Sequence, residues 1–206
     1  MNGLKKTWDE NVTKLEEGFL AFPWDNERAY AAYLAQTFYY VTHSVKLLEY
    51  AANVADPELK ECLLHHVEEE NGHEKLALND LEKLGYSLED FPESPESKEM
   101  YEAIYKGIDD HGPAPIIGYA MALEGLSARQ CPRVAEILID KYGRNKSTFI
   151  KLHGDVDPGH MEDSFEVLKF FNEDDYRIIE RFIVESSERY LSFLGLVGKL
   201  AVAKAS

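Results

Sequence analysis

Apolar residues recur along the chain at spacings of three and four, and strict apolar–polar alternation is nearly absent, so the pattern predicts helices and not strands. A first helix is predicted over Leu4–Ala21, closed by Pro23, and a long second one over Asn26–Val54. The second carries its apolar stripe at Tyr30, Leu34, Phe38, Val41, Val45 and Leu48. A third begins at Asp56-Pro57, an N-cap residue followed by proline in the first turn. It runs to Leu84 and stops at Gly85. The segment Tyr86–Lys98, rich in Ser, Pro and acids, reads as a loop. Further helices are predicted over Glu99–Asp110, Ala114–Ala128, from Pro132 to near Gly143, over Lys146–Phe171 and over Glu173–Ala203. With 206 residues and no internal repeat, the chain fits one all-α domain spanning residues 1–206, a bundle of seven to eight helices.

Two of these helices interrupt their own apolar stripes with polar residues. On the third, the inward positions are Leu59, Leu63, His66, Glu70, His73, Ala77, Leu81 and Leu84. On the seventh they are Phe149, His153, Asp157, His160, Ser164, Val167 and Phe171. Both spell H-x3-[E/D]-x2-H, as His66-Glu70-His73 and His153-Asp157-His160. A third irregularity is Glu124, the only charged residue between Asp110 and Arg129, set inside IIGYAMALEGLSA. A carboxylate buried there alone would cost several kcal/mol or hold on to its proton, and a dication removes that penalty.

Imidazole mixed with carboxylate suits borderline divalent metals such as iron, manganese and zinc. Helical spacings of three, four and seven aim such side chains at one point. Glu68 and Glu69 fall toward the solvated face, although Glu69 is close enough in angle to exchange with Glu70. His65 points away from His66. Gln36, Tyr40 and His43 share a helix face and are candidates to line a substrate pocket or to fill the core. His111 precedes Gly112-Pro113 and reads as a helix-end cation. Arg144 and Lys151 are close enough in sequence to the second box to meet an anionic substrate. Within that box, HGDVDPGH, Pro158 removes a helix hydrogen bond. It predicts either a broken helix or a weak one that orders when metal binds.

Charge narrows the partners. With 22 Lys and Arg against 38 Asp and Glu, the formal net charge is −16, which argues against nucleic acid and anionic membrane. The longest apolar stretch, Ile116–Leu126, is too short for a bilayer and contains Glu124. No signal peptide is read near Met1, and Cys62 and Cys131 form no CxxC, so a cytoplasmic, reducing setting is expected. Apolar residues on the last helix (Phe182, Ile183, Tyr190, Phe193, Leu196) are expected in the core or across a homodimer contact.

With these residues in view, the chain resembles the heme-oxygenase-like non-heme diiron oxidases and oxygenases, the iron-containing redox enzymes. YLAQTFYYVTHS is similar to that family's second helix and HHVEEENGHEKLALNDLEKLG to its first ligand helix. EGLSA carries its middle glutamate and HGDVDPGH its H-x3-D-x2-H box. The resemblance implies a heme-oxygenase-like helical bundle holding two Fe(II) per chain, with Mn or Zn as substitutes. The implied ligands are Glu70, His73, Glu124, His153, Asp157 and His160. Members take the first carboxylate either from E-x2-H, which Glu70 and His73 satisfy, or from a position that is His66 here. Glu69, Glu70 and His66 therefore compete for that place. The implied activity is O2-dependent oxidation of a small amino acid, amine or fatty-acid-like substrate through a peroxo-diferric intermediate. Two other readings stay open: a metal-independent enzyme on this scaffold, of the thiaminase II or quinone-cofactor synthase type, and a ferritin-like metal-binding bundle. Heme is not expected, because it needs one axial histidine and not an array of carboxylates.

Overall fold

Side-chain caps start two of the helices in the computed structural model, which describes residues 2–202. Among these residues lie nine α-helices and three short 3-10 turns, and no strand. The helices are α1 (Asn2–Ala21), α2 (Glu27–Val41), α3 (Ser44–Val54), α4 (Pro57–Glu70), α5 (His73–Leu84), α6 (Pro95–His111), α7 (Ala114–Tyr142), α8 (Thr148–Glu166) and α9 (Glu173–Val202). Asn26 caps α2 by accepting the amide of Ala29 at 3.1 Å. Ser94 does the same for α6 through Ser97, with Pro95 in the first turn. That cap starts α6 four residues earlier than the predicted Glu99, so the loop is shorter than Tyr86–Lys98.

Two predicted helices are each divided. The expected Asn26–Val54 helix tightens at Thr42 and His43, where the Thr42 hydroxyl bonds back to the Tyr39 carbonyl at 2.7 Å. The His43 amide then reaches Tyr40 instead of Tyr39, a 3-10 step that splits α2 from α3. The expected helix from Asp56 to Leu84 stops at Glu70 and restarts at His73. Asn71 is extended, and Gly72 has φ 97°, a left-handed conformation that only glycine adopts at little cost.

Elsewhere two predicted helices are one. Pro132 lies inside α7, which runs without interruption from Ala114 to Tyr142. The ring removes one backbone bond, but α7 packs along its length against α8, α9 and α1. Tertiary burial outweighs the local breaker. The expected end of the last helix at Ala203 lies outside the described residues.

The core gathers around α7 and α9. Phe182, Ile183, Tyr190 and Phe193 of α9 are buried within this chain, and Leu196 is half-buried, so that face packs inward. An aromatic group of Phe19, Phe22, Trp24 and Tyr33 closes one end. No helix among the described residues is long and apolar enough to cross a membrane.

Candidate metal centre

The polar interruptions of the stripes meet in space. Helix α4 supplies His66 and, as its last residue, Glu70; α5 begins with His73; α7 supplies Glu124; α8 supplies His153, Asp157 and His160. Two groups of facing donor atoms form, each mutually within 4.8 Å: His66, Glu70 and His160, and Glu70, His73 and His153. Glu70 belongs to both. Its Oε1 is 3.2 Å from Nδ1 of His73 and 3.8 Å from Nδ1 of His160. Glu124 joins the first group at 3.2 Å from Nε2 of His66, and Asp157 joins it at 3.3 Å from Nδ1 of His160.

These approaches lack the alignment of hydrogen bonds. Nε2 of His66, Nδ1 of His73, Oδ1 of Asp157 and Nδ1 of His160 are buried without a hydrogen-bond partner. A buried unpartnered polar atom costs about 1–3 kcal/mol, so four in one place call for an occupant that all can bind. A divalent cation fits this donor set. His153 is prepared for the same role: its Nδ1 lies 2.9 Å from the Phe149 carbonyl, which only an N–H can satisfy, leaving Nε2 as a lone-pair donor.

Proton affinities report the same crowding. Burial alone would lower His66, but the carboxylates of Glu124 and then Glu70 and Glu69 outweigh it and push it up to about 9. Burial alone would raise Glu70, yet the close approach of His73 and the charges of His153, His73 and His66 hold it down at about 2. Burial raises Asp157. His160, lowered by burial, is raised overall by Asp157 and Glu124. Cations and carboxylates hold one another charged in a buried site, and a metal ion would take over that neutralising role.

Helix α8 continues straight through Pro158, so the predicted break does not occur. Close approach to α7 explains Gly154. A Cβ there would lie 2.9 Å from the nitrogen of Pro132 and 3.1 Å from its Cδ. Gly154→Ala is therefore expected to push α8 off α7 and cost about 1–3 kcal/mol, read as a lower denaturant midpoint at unchanged slope.

Asp80, on α5, was not singled out from the sequence. It is fully buried, and its carboxylate accepts the Thr148 hydroxyl at 2.7 Å and the Phe149 amide at 2.9 Å. Ser147, at the N-cap position of α8, makes no capping bond. Asp80 thus caps α8 from another helix, and Phe149, the residue it holds, is the one that orients His153. Asp80→Ala is expected to lower stability by about 2 kcal/mol, the sum of a lost cap and a stranded buried amide, measurable by thermal unfolding.

Two cavities adjoin the centre, and His66 walls both. The inner one, about 80 Å³, is apolar with the hydroxyls of Tyr33, Tyr40, Tyr119 and Tyr190 and the thiol of Cys131 in its wall. Burial raises all of these groups, so they stay protonated. No Lys or Arg among the described residues lines it. The outer one, about 160 Å³, is bordered by His65, Glu69, Asp163, Glu166 and Lys169.

Of the three residues expected to bind substrate, only Tyr40 walls either of these two cavities. Gln36 is buried elsewhere and its amide is fully used. It donates to the carbonyls of Phe91 and Pro92 and accepts from the Ser94 amide and Ser97 hydroxyl, all at 2.7–3.0 Å, which pins the loop before α6. His43 stacks on Tyr101 with ring centroids 3.7 Å apart. Arg144 is exposed, and Lys151 pairs with Asp155 on the outer face of α8. Glu68 and His65 are exposed, although His65 edges the outer cavity. Glu69 sits at the rim with its Oε2 3.7 Å from Nε2 of His160. His111 closes the last turn of α6.

Residues 31–191, a span holding every residue of the cluster, match the model of a family described as iron-containing redox enzyme. The chain belongs to this family. No curated protein matches the sequence. Solved structures share the family's heme-oxygenase-like fold. A domain of unknown function from Shewanella denitrificans, itself described as heme oxygenase-like, aligns with TM-score 0.83 at 20% identity over 95% of this chain and 92% of its own. A TenA homolog from Pseudomonas syringae pv. tomato aligns with TM-score 0.79 at 13% identity, over 95% and 91%. The TenA homologue of P. horikoshii gives 0.77 at 11%, over 96% and 99%. These identities carry the fold alone. The ferritin-like bundle is set aside, because the topology is the heme-oxygenase-like one.

Proposed function

We propose that this chain is a non-heme diiron oxidase or oxygenase. It binds two ferrous ions through Glu70, His73, Glu124, His153, Asp157 and His160, and turns O2 on a small organic substrate. The observation that carries this reading is the pair of donor groups sharing Glu70, with four buried atoms that have no hydrogen-bond partner among the described residues. The donors would also take Mn or Zn; membership of an iron-containing redox family favours iron.

Bound ferrous iron would supply the electrons for O2 and Lewis acidity toward the substrate. The chain's own contribution is placement and exclusion. The apolar wall of the inner cavity, with Val41, Leu48, Ile116 and Phe149, displaces water from the face of the centre. The hydroxyls of Tyr40 and Tyr119 can each give a proton in a hydrogen bond to a substrate held there. Because no Lys or Arg among the described residues lines that wall, an anionic substrate group meets positive charge only at the metal centre and its histidines, and the remainder of the substrate is neutral.

The test is anaerobic reconstitution with Fe(II), metal analysis, and oxygen-electrode and absorption recording on exposure to O2. Two irons per chain and a transient visible chromophore are expected. Iron at background level after reconstitution would sink the reading.

A second reading is favoured by one observation: Cys131 stands in the cavity wall, and solved relatives in fold are TenA homologues. A metal-independent, thiol-based enzyme of the thiaminase II type would need a reactive thiolate. Burial pushes the Cys131 thiol the other way, and its hydroxyl neighbour Ser127 is no base. Activity lost in Cys131→Ser yet indifferent to chelators would decide for that alternative.

A further inference from the structure

The two donor groups are built unequally, and His66 is the reason. By resemblance, the first carboxylate is expected from E-x2-H or from the position that His66 occupies. Here both positions carry a ligand-type residue. His66 is not spent on the fold: its Nε2 is buried, makes no hydrogen bond, and lies 3.2 Å from Glu124 and 3.9 Å from Glu70. Its ring is 4.9 Å from that of His160. Glu69, the other contender, has a side chain 37% exposed at the rim of the outer cavity and belongs to neither donor group.

We propose that His66 is a seventh ligand, a fourth histidine in the centre, and that it makes the half-site of His66, Glu70 and His160 fill before that of Glu70, His73 and His153. The inference rests on the dimetal reading above. The first half-site draws His66 and Glu70 from one continuous turn of α4, and Glu124 and Asp157 stand within 3.3 Å of its imidazoles. Clustered carboxylates around an ion raise its affinity at short range. In the second half-site, His73 follows the left-handed turn at Gly72. His153 spends one ring nitrogen on the Phe149 carbonyl, and the one carboxylate in its donor group is the shared Glu70. It has fewer donors, one from each of α4, α5 and α8, and should bind more weakly.

The experiment is a Co(II) titration of the metal-free full chain, followed by calorimetry and the visible Co(II) bands, with no assay of turnover. The wild type is expected to take two ions in two resolved steps. His66→Ala, and His66→Gln as a variant that keeps side-chain bulk, should lose the tighter step and retain the weaker ion. The loss should exceed the about 10–100-fold carried by residues that only support a ligand. His73→Ala should do the reverse. Circular dichroism confirms that each variant is helical; if His66→Ala is not, His66→Gln decides. Two ions with wild-type affinities in the folded His66 variant overturn the proposal, as does loss of the same step in His66 and His73 variants. A wild type that takes no ion overturns instead the dimetal reading on which it stands.

Discussion

Glu70→Ala is expected to remove both metal ions at once and return the reconstituted protein to background metal content. Glu70 is the one residue common to the two donor groups, and its Oε1 stands between His73, His160 and His66 at 3.2, 3.8 and 3.9 Å. Without it the second half-site keeps only two imidazoles, and the first loses the carboxylate that its two histidines share, at 3.9 and 3.8 Å. The shorter Glu70→Asp should retain metal at reduced affinity, because the charge survives but no longer spans both groups. Glu69→Ala should keep the wild-type stoichiometry, since Glu69 lies at the rim. Metal analysis after anaerobic reconstitution reads all three. If Glu70→Ala still holds two ions, the shared-carboxylate geometry is wrong, and the bridging role passes to Glu124 or Asp157.

The cluster was legible in the sequence because its residues violate a strong rule. Stripes that are apolar at both ends do not place histidine and carboxylate in the middle without a compensating partner, and Glu124 stands alone in an apolar run. What stayed hidden depended on long-range contacts. Asp80 shares the inward face of Ala77, Leu81 and Leu84. It sits between Asn79 and Glu82, however, and its partners Thr148 and Phe149 are far away in sequence. Gln36 looked like a pocket residue because it shares a face with Tyr40 and His43; its actual role depends on carbonyls 55 and 56 residues away. The turn at Asn71-Gly72 fell inside an otherwise regular stripe, where glycine reads as a mild helix penalty and a left-handed φ cannot be foreseen. The fusion of two predicted helices across Pro132 has the same origin, because packing on three sides of α7 outweighs one lost backbone bond.

That turn bears directly on what the metal does for the fold. Glu70 ends α4, His73 begins α5, Glu124 lies in the middle of α7, and three further donors sit on α8, so a bound pair of ions would tie four helices together. The unfolded chain has no such convergence, and any ion bound only by the folded state stabilises it by mass action. With Fe(II) or Zn(II) at about 100 times its dissociation constant, each site should add about 2.7 kcal/mol. For a chain of this size that corresponds to a rise of about 5–10 °C in the unfolding midpoint per site, reversed by EDTA. Part of the gain is relief of the four unpartnered atoms of His66, His73, Asp157 and His160, which the metal-free protein must bury at a cost. The gain should also be local. Amide exchange is expected to slow over Gly154–His160, where Pro158 already removes a helix hydrogen bond, and over the Glu70–His73 turn, with little change in α1. A midpoint indifferent to both metal and chelator would mean that the cluster holds no ion. A raised midpoint with protection spread evenly over all nine helices would mean that the ion stabilises the fold without ordering α8, and the coupling of loading to that helix would fail.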